Sequence, residues 1–247
     1  MKSLFVFDID DTLAESKSAI DDAMATDLAH LCSLARVAII SGAAWPQFEA
    51  QVLARLPAGT NDANLSLLPT CGTQFYRYDG GWQRLYSETL SAKQKTTIID
   101  AIQTAVKTAG ITIAQTWGEQ IEDRESQITF SALGQQAPHD PKKAWDPDFA
   151  KRTKIKALLD VALPQFSVRL GGSTSIDVTL PGIDKAYGIR KLRDILNVPI
   201  AEMLYVGDAL FEGGNDYPVR STGADVIQVA GPSETKRVIE TTIALLK

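Results

Sequence analysis

The run FVFDIDDTL, residues 5–13, sets Asp8, Asp10 and Asp11 at the end of a short apolar segment. Carboxylates so crowded repel one another: a like-charged pair about 4 Å apart costs roughly 4 kcal/mol at an effective dielectric of about 20. A divalent cation offsets that cost. Hard oxygen donors suit Mg²⁺, which takes one or two carboxylates and fills its other positions with water and substrate phosphate. A carboxylate beside such a cation and a phosphate ester can attack phosphorus and form an aspartyl-phosphate. A second carboxylate then protonates the leaving oxygen and later activates water. Asp8 and Asp10 are two apart and share a face of a regular strand. The plainer alternative is a solvated turn, because acids after a strand also cap helices, and Asp11 with Thr12 suits that role.

Phosphoryl chemistry also asks for a small hydroxyl and a lysine to grip the transferring group. Ser41 closes the apolar run RVAIISG, Lys185 opens DKAYGIRKLRDILN, and Asp208 closes EMLYVGD. Taken singly these are a turn serine, a solvated lysine and another turn acid. Taken in order they are stronger, since open α/β sheets bind ligands outside the carboxyl ends of their strands. Parallel neighbours would bring Asp8, Asp10, Ser41 and Asp208 to one edge.

The elements that must do this alternate. SLFVFDI, RVAIISG and LSLLPTCG read as buried strands, separated by helical periodicity over SAIDDAMATDLAHLCSLA and by WPQFEAQVLARL, whose Pro46 falls in a first turn. QFYRYDGGWQRLYSE reads as a hairpin about Asp-Gly-Gly. The middle abandons this rhythm. A long amphipathic helix, SAKQKTTIIDAIQTAVKTAG, leads to alternating runs at ITIAQTWG and SQITFSALG and to a polar, proline-bearing stretch, QQAPHDPKKAWDPD. A helix around FAKRTKIKALLDVAL and the strands FSVRLGG and STSIDVTLP follow. From DKAYGIRKLRDILN the first pattern returns, through EMLYVGD, ADVIQVA and a terminal helix. The expected fold is α/β, a Rossmann-like doubly wound parallel sheet core with an inserted α+β module.

Composition bounds the function. A net charge of −5 and the lack of any Lys/Arg-rich run argue against nucleic acid. No apolar stretch approaches the ~18 residues of a membrane span, and no signal-peptide core precedes Asp8. Two cysteines without metal-ligand spacing exclude a disulfide framework. His30 and His139 are too few for a histidine zinc site and are assigned no role. A cytoplasmic protein without a membrane partner is expected, and no sequence feature sets an oligomeric state.

The ordered set FDIDDTL, IISG, Lys185 within GIDKAYGI and GDALFEGGND resembles the haloacid dehalogenase (HAD) superfamily, mostly Mg²⁺-dependent phosphatases and phosphomutases. By that resemblance Asp8 is nucleophile and metal ligand, and Asp10 is general acid/base with its carbonyl also on Mg²⁺. Ser41 and Lys185 hold phosphoryl oxygens, Asp208 is the other acidic ligand, and Asn215 and Asp216 support the metal shell. The place of the insertion is similar to the cap of the type IIB branch, which implies a catalytic core of residues 1–86 and 184–247 and an inserted α+β cap domain of residues 87–183. Within it, GDALFEGGNDYPV, SIDVTLPGIDKAYGI and IEDRESQITFSALG are similar to eukaryotic-type phosphomannomutases. This implies a substrate-facing set of Arg124, Ser175 and Asp177, with Gln135 and Lys142 where the family carries arginines. The family also has Gly in place of Asp11. A mutase needs a strong second phosphate site; a hydrolase does not. The resulting expectation is a Mg²⁺-dependent phosphatase acting on a small phosphorylated substrate, a sugar phosphate, with a hexose phosphomutase as the alternative. A signalling receiver domain also gathers acids, a hydroxyl and a lysine at a sheet end, but its acidic pair is usually adjacent and its chain about half as long.

Overall fold

A computed structural model describes residues 2–247, the side chain of His139 excepted; the expectation of no role for that histidine lies outside the described atoms. The chain divides into two units, one of residues 1–87 and 184–247 and the other of residues 88–183.

The first unit is built on a seven-stranded sheet. Its strands are β1 (Leu4–Phe7), β2 (Arg36–Ile40), β3 (Leu65–Leu68), β4 (Gln74–Tyr78), β5 (Trp82–Ser87), β10 (Met203–Gly207) and β11 (Asp225–Gln228), in the order β11-β10-β1-β2-β3-β4-β5. The first five in that order run parallel, and β4 and β5 form the antiparallel hairpin. Strands β1, β3 and β10 lie between neighbours and carry few polar side chains, as strands covered on both faces must. Helices α1 (Asp22–Leu34), α2 (Trp45–Gln51) and α7 (Pro232–Leu246) accompany the core on one face, around Phe5, Phe7, Ile39 and Leu67. Helix α6 (Lys185–Leu196) covers the other, where Leu4, Val6, Ile40 and Tyr205 pack with Ile189 and Leu192. The helix approaches closely because Gly72 and Gly188 meet: a Cβ on Gly72 would stand 2.8 Å from Gly188 Cα.

The second unit is a four-stranded antiparallel sheet of β6 (Ile121–Asp123), β7 (Gln127–Ser131), β8 (Ser167–Gly171) and β9 (Ser175–Thr179), ordered β6-β7-β9-β8. Alternation divides its faces. Ile128, Phe130, Val168, Ile176 and Val178 form a core with α3 (Ala92–Ala109) and α5 (Ala150–Ala162), while Gln127, Thr129, Ser175 and Asp177 take the opposite parity. Helix α3 starts at a capping box, Ser91 with Gln94, and stops at left-handed Gly110.

Two local expectations need correction. Residues 111–118 form no strand: Trp117 donates to Leu133 O at 2.8 Å and Gln136 to Trp117 O at 3.0 Å, isolated bonds rather than a ladder. The proline-bearing stretch contains a helix, α4 (His139–Trp145). Pro141 is tolerated there because first-turn amides need no helical acceptor.

Helix α5 is tied down by a buried ion pair. Asp146 accepts from the amides of Lys151 (2.8 Å) and Arg152 (3.2 Å) and from Arg152 Nε (2.8 Å). The Arg152 guanidinium also donates to Gly171 O at 2.6 Å and to Gly172 O, which fixes the turn between β8 and β9. Both charged side chains are essentially inaccessible to solvent.

Candidate active site

The site lies at the carboxyl ends of β1 and β10. Asp8 directly follows β1, and its amide donates to Val206 O at 3.1 Å, extending the parallel pairing by one bond. The chain then folds tightly, with the amides of Thr12, Leu13 and Ala14 all directed at Ile9 O. This turn separates the three acids. Asp11 has φ of 56°, a left-handed conformation in which glycine is favoured, and its carboxylate accepts from Ser16 N at 3.2 Å. The Asp10 carboxylate accepts from Lys17 N at 2.6 Å. Of the three, Asp8 alone is fully buried.

Lys185, the first residue of α6, is also buried, although its sequence position suggests a surface. Its Nζ lies 2.8 Å from Asp8 Oδ1 and 2.5 Å from Asp216 Oδ1. Burial opposes the ammonium, but Asp216 and Asp8 outweigh it and hold Lys185 protonated, above the ordinary lysine range. Asp208 follows β10; its amide donates to Thr12 Oγ1 at 3.0 Å, joining the two strand-end loops. The Gly-rich loop brings Asp216 back beneath β10. There its Oδ2 accepts from Ala209 N at 3.0 Å, and its Oδ1 accepts from the Tyr205 hydroxyl at 2.5 Å. Gly207 makes room for this return, for a Cβ at that position would overlap the Asp216 carboxylate.

Asp8, Asp208 and Asp216 thus present carboxylate oxygens all within 4.8 Å of one another, the group that stands out among the described residues. One ammonium faces three buried or half-buried carboxylates. Burial, opposed by Lys185, raises Asp8 well above the usual carboxylate range. Burial and then the Asp216 charge push Asp208 up to about 6. The donors are hard oxygens with charge in excess, and they fit a hard divalent cation. Tyr205 is held firmly neutral by burial and by the adjoining carboxylates, and remains a donor.

The other expected residues are distributed as follows. Ser41 is buried at the end of β2, beside β1, and its hydroxyl accepts from Ala43 N at 3.1 Å. Asn215 is exposed, next to the buried Asp216. In the second unit, Arg124 is buried between β6 and β7 and donates to Glu122 Oε2 at 2.6 Å. Ser175 and Asp177 share a face of β9, and Asp177 accepts from Thr129 Oγ1 at 2.7 Å. Gln135 is half-buried, its main-chain N–H donating to Glu119 O at 3.1 Å, and Lys142 is buried on α4. Acid spacing did not disclose two residues of the cluster, Thr12 and Tyr205. Thr12 reads as a turn residue, and Tyr205 as one more core residue of an apolar strand.

A family model described as eukaryotic phosphomannomutase matches residues 73–245. The phosphomannomutase of Encephalitozoon cuniculi (strain GB-M1) is 26% identical over 265 residues, covering 97% of this chain and 93% of its own length. That of Spinacia oleracea is 31% identical over 126 residues, 49% of each chain. Among solved structures, an N-terminally truncated, IMP-bound IMP-nucleotidase of Plasmodium falciparum superposes with a TM-score of 0.70 at 15% identity, covering 98% of this chain and 68% of the other. A haloacid dehalogenase-like hydrolase from Bacteroides thetaiotaomicron gives a TM-score of 0.62, also at 15% identity, covering 98% and 100%. At such identities the two structures speak for the fold alone.

Proposed function

Because the chain belongs to the eukaryotic phosphomannomutase family, whose matched span includes Lys185, Asp208 and Asp216, and is an enzyme of HAD-type phosphoryl transfer, we propose that it is a Mg²⁺-dependent phosphatase acting on a sugar phosphate through an aspartyl-phosphate on Asp8. The observation that carries this reading is the buried contact of Lys185 with Asp8 and Asp216, inside a carboxylate triad whose excess negative charge a cation would offset.

An Asp8 carboxylate oxygen attacks phosphorus and the bond from phosphorus to the sugar oxygen breaks. Asp10 gives its proton to that oxygen, and the sugar leaves as an alcohol. Asp10, now ionised, takes a proton from water, whose oxygen attacks the aspartyl-phosphate, releasing inorganic phosphate and restoring Asp8. Lys185 and Ser41 hold the phosphoryl oxygens while charge develops on them. Mg²⁺ held by Asp8, Asp208 and the Asp10 carbonyl, with Asp216 and Asn215 supporting its shell, would neutralise phosphoryl charge. Arg124, Gln135, Lys142, Ser175 and Asp177 are the residues proposed to select the sugar.

A hexose phosphomutase is the second reading, favoured by the family itself and by the nearly full-length match to the E. cuniculi enzyme. Against it stand Gln135, which carries no charge, and Lys142, which lacks a bidentate fork for a distal phosphate. One assay separates the two: mannose 1-phosphate with Mg²⁺ and a trace of hexose bisphosphate, following free phosphate and the 6-phosphate together. Stoichiometric free phosphate is the expected result. Isomer without phosphate release would replace the phosphatase with the mutase.

Cation binding should depend on pH in a defined direction. In the cation-free protein Asp8 and Asp208 have raised pKa values, Asp208 near 6, so protons compete for the ligand oxygens as pH falls. Calorimetric titration is expected to show Mg²⁺ affinity falling about tenfold per pH unit for each proton displaced below that range. A flat affinity between about pH 7.5 and 5.5 would contradict the ligand assignment.

A further inference from the structure

The Asp216 carboxylate is nearly saturated. A carboxylate offers about four acceptor positions, two on each oxygen. On Oδ1 both are used, by Lys185 Nζ at 2.5 Å and by the Tyr205 hydroxyl at 2.5 Å. On Oδ2 one is used, by Ala209 N at 3.0 Å. A single lone pair therefore remains, on Oδ2. Three donors from three directions, β10, α6 and the loop after β10, leave the carboxylate no freedom to rotate. Tyr205 and Gly207 are two apart on β10 and share a face, and the missing Cβ of Gly207 is what lets Asp216 reach the phenol.

We propose that Tyr205 is a positioning residue: its hydroxyl fills the last acceptor position of Asp216 Oδ1, so that Asp216 meets a cation through Oδ2 alone and in one orientation. The inference rests on the proposed cation site and takes Asp216, there a support of the shell, as a ligand beside Asp8 and Asp208, whose carboxylate oxygens lie within 4.8 Å of its own. Its consequence is selectivity. Mg²⁺ demands near-ideal octahedral geometry and a one-oxygen carboxylate, whereas Ca²⁺ accepts one or two oxygens of a carboxylate in flexible geometry. A locked, single-oxygen Asp216 favours the smaller ion. Without the Tyr205 hydroxyl, Oδ1 keeps Lys185 and regains one acceptor position, so the carboxylate can offer a cation both oxygens, which harms Mg²⁺ binding and not Ca²⁺ binding.

The test is Y205F in the full chain, which retains the ring that packs in the core and removes only the hydroxyl. Mg²⁺ and Ca²⁺ affinities are measured by calorimetry on cation-free protein, with circular dichroism to establish folding. Mg²⁺ affinity is expected to fall about 10-fold to 100-fold, the usual range for loss of a group that orients a ligand. Ca²⁺ affinity is expected to change less than about 3-fold, because the freed carboxylate can serve it with two oxygens. Equal losses for both ions, or an unchanged Mg²⁺ affinity, overturn the positioning role while leaving the site itself in place. Failure of the wild-type protein to bind either ion would instead remove the cation site, and this inference with it. If Y205F does not fold, Y205M fills the space with a flexible apolar side chain, and the same ratio of affinities decides.

Discussion

Asp8→Asn is expected to lose on the order of 10⁴-fold or more in turnover, as removal of a nucleophile does elsewhere, with its fold intact. The structure separates these two outcomes. Asp8 is buried, and burial raises its pKa, so its charge is held at a cost to the folded state. The sign follows: a carboxyl whose folded pKa lies above its unfolded value near 4 contributes stability at low pH, and that contribution is lost as pH rises through the folded value. At neutral pH the uncharged amide introduced by this substitution should therefore equal or exceed the wild type in cation-free melting temperature. Lys185 is not stranded by the change, for Asp216 Oδ1 remains 2.5 Å from its Nζ. Turnover within about tenfold of wild type would remove Asp8 as nucleophile. A collapse in melting temperature would show instead that the Asp8 charge is structural.

Arg152→Ala should be the most damaging single change to the second unit. It leaves Asp146 charged, buried and without the guanidinium, and it frees Gly171 O and Gly172 O at the β8–β9 turn. Breaking one side of a buried pair typically costs about 3–5 kcal/mol. The stacking of the guanidinium on Phe149, 4.9 Å from the ring centroid, is lost as well. Urea unfolding with hydrogen exchange resolved at β8 and β9 would measure the loss. The double change D146L/R152M should be milder than R152A, because no lone charge remains inside. The pair also makes this unit acid-sensitive. Burial opposes the Asp146 charge, but Arg152 and two backbone amides outweigh it and lower its pKa. Its contribution is present above the unfolded value of about 4 and disappears as pH falls through the depressed one. Exchange protection of β8 and β9 equal in R152A and wild type would refute the role.

The two predictions differ in how far the sequence discloses them. Asp8, Ser41 and Asp208 could be placed at one edge because strand–helix alternation fixes where each strand ends, and a parallel sheet brings those ends together; Lys185 opens a helix, and only its order among them singled it out. The hairpin at Asp-Gly-Gly and the stop of α3 at Gly110 follow equally from local chemistry. Tyr205 could not be found this way, since an apolar strand conceals which of its residues has a polar partner 11 positions later. Nor could Arg152, which in FAKRTKIKALL reads as one more cation on a basic helix. Its burial is decided by the β8–β9 turn, 19 residues on, where Gly171 O awaits it. Helix α4 escaped notice because Pro138 and Pro141 signal a loop locally, while the first turn of a helix accepts both. Local rules found the elements; tertiary contacts chose these partners.

The pairing of β1 with β10 also bears on how the protein is made. Ser3 and Glu202 are hydrogen-bonded although 199 residues apart, and Lys185, Asp208 and Asp216 are all synthesised late. At about 5–20 residues per second, roughly 10–40 s pass between emergence of β1 and arrival of its second neighbour. During that interval Asp8 has neither its lysine nor the Asp208 and Asp216 carboxylates beside it, and one edge of an apolar strand stands open. The inserted unit, whose sheet and helices pair among themselves, can fold in that interval. A chain on the ribosome from which β10 has not yet emerged can therefore carry a folded second unit and an unfinished seven-stranded sheet, and a nascent chain in that condition is an expected client for chaperones.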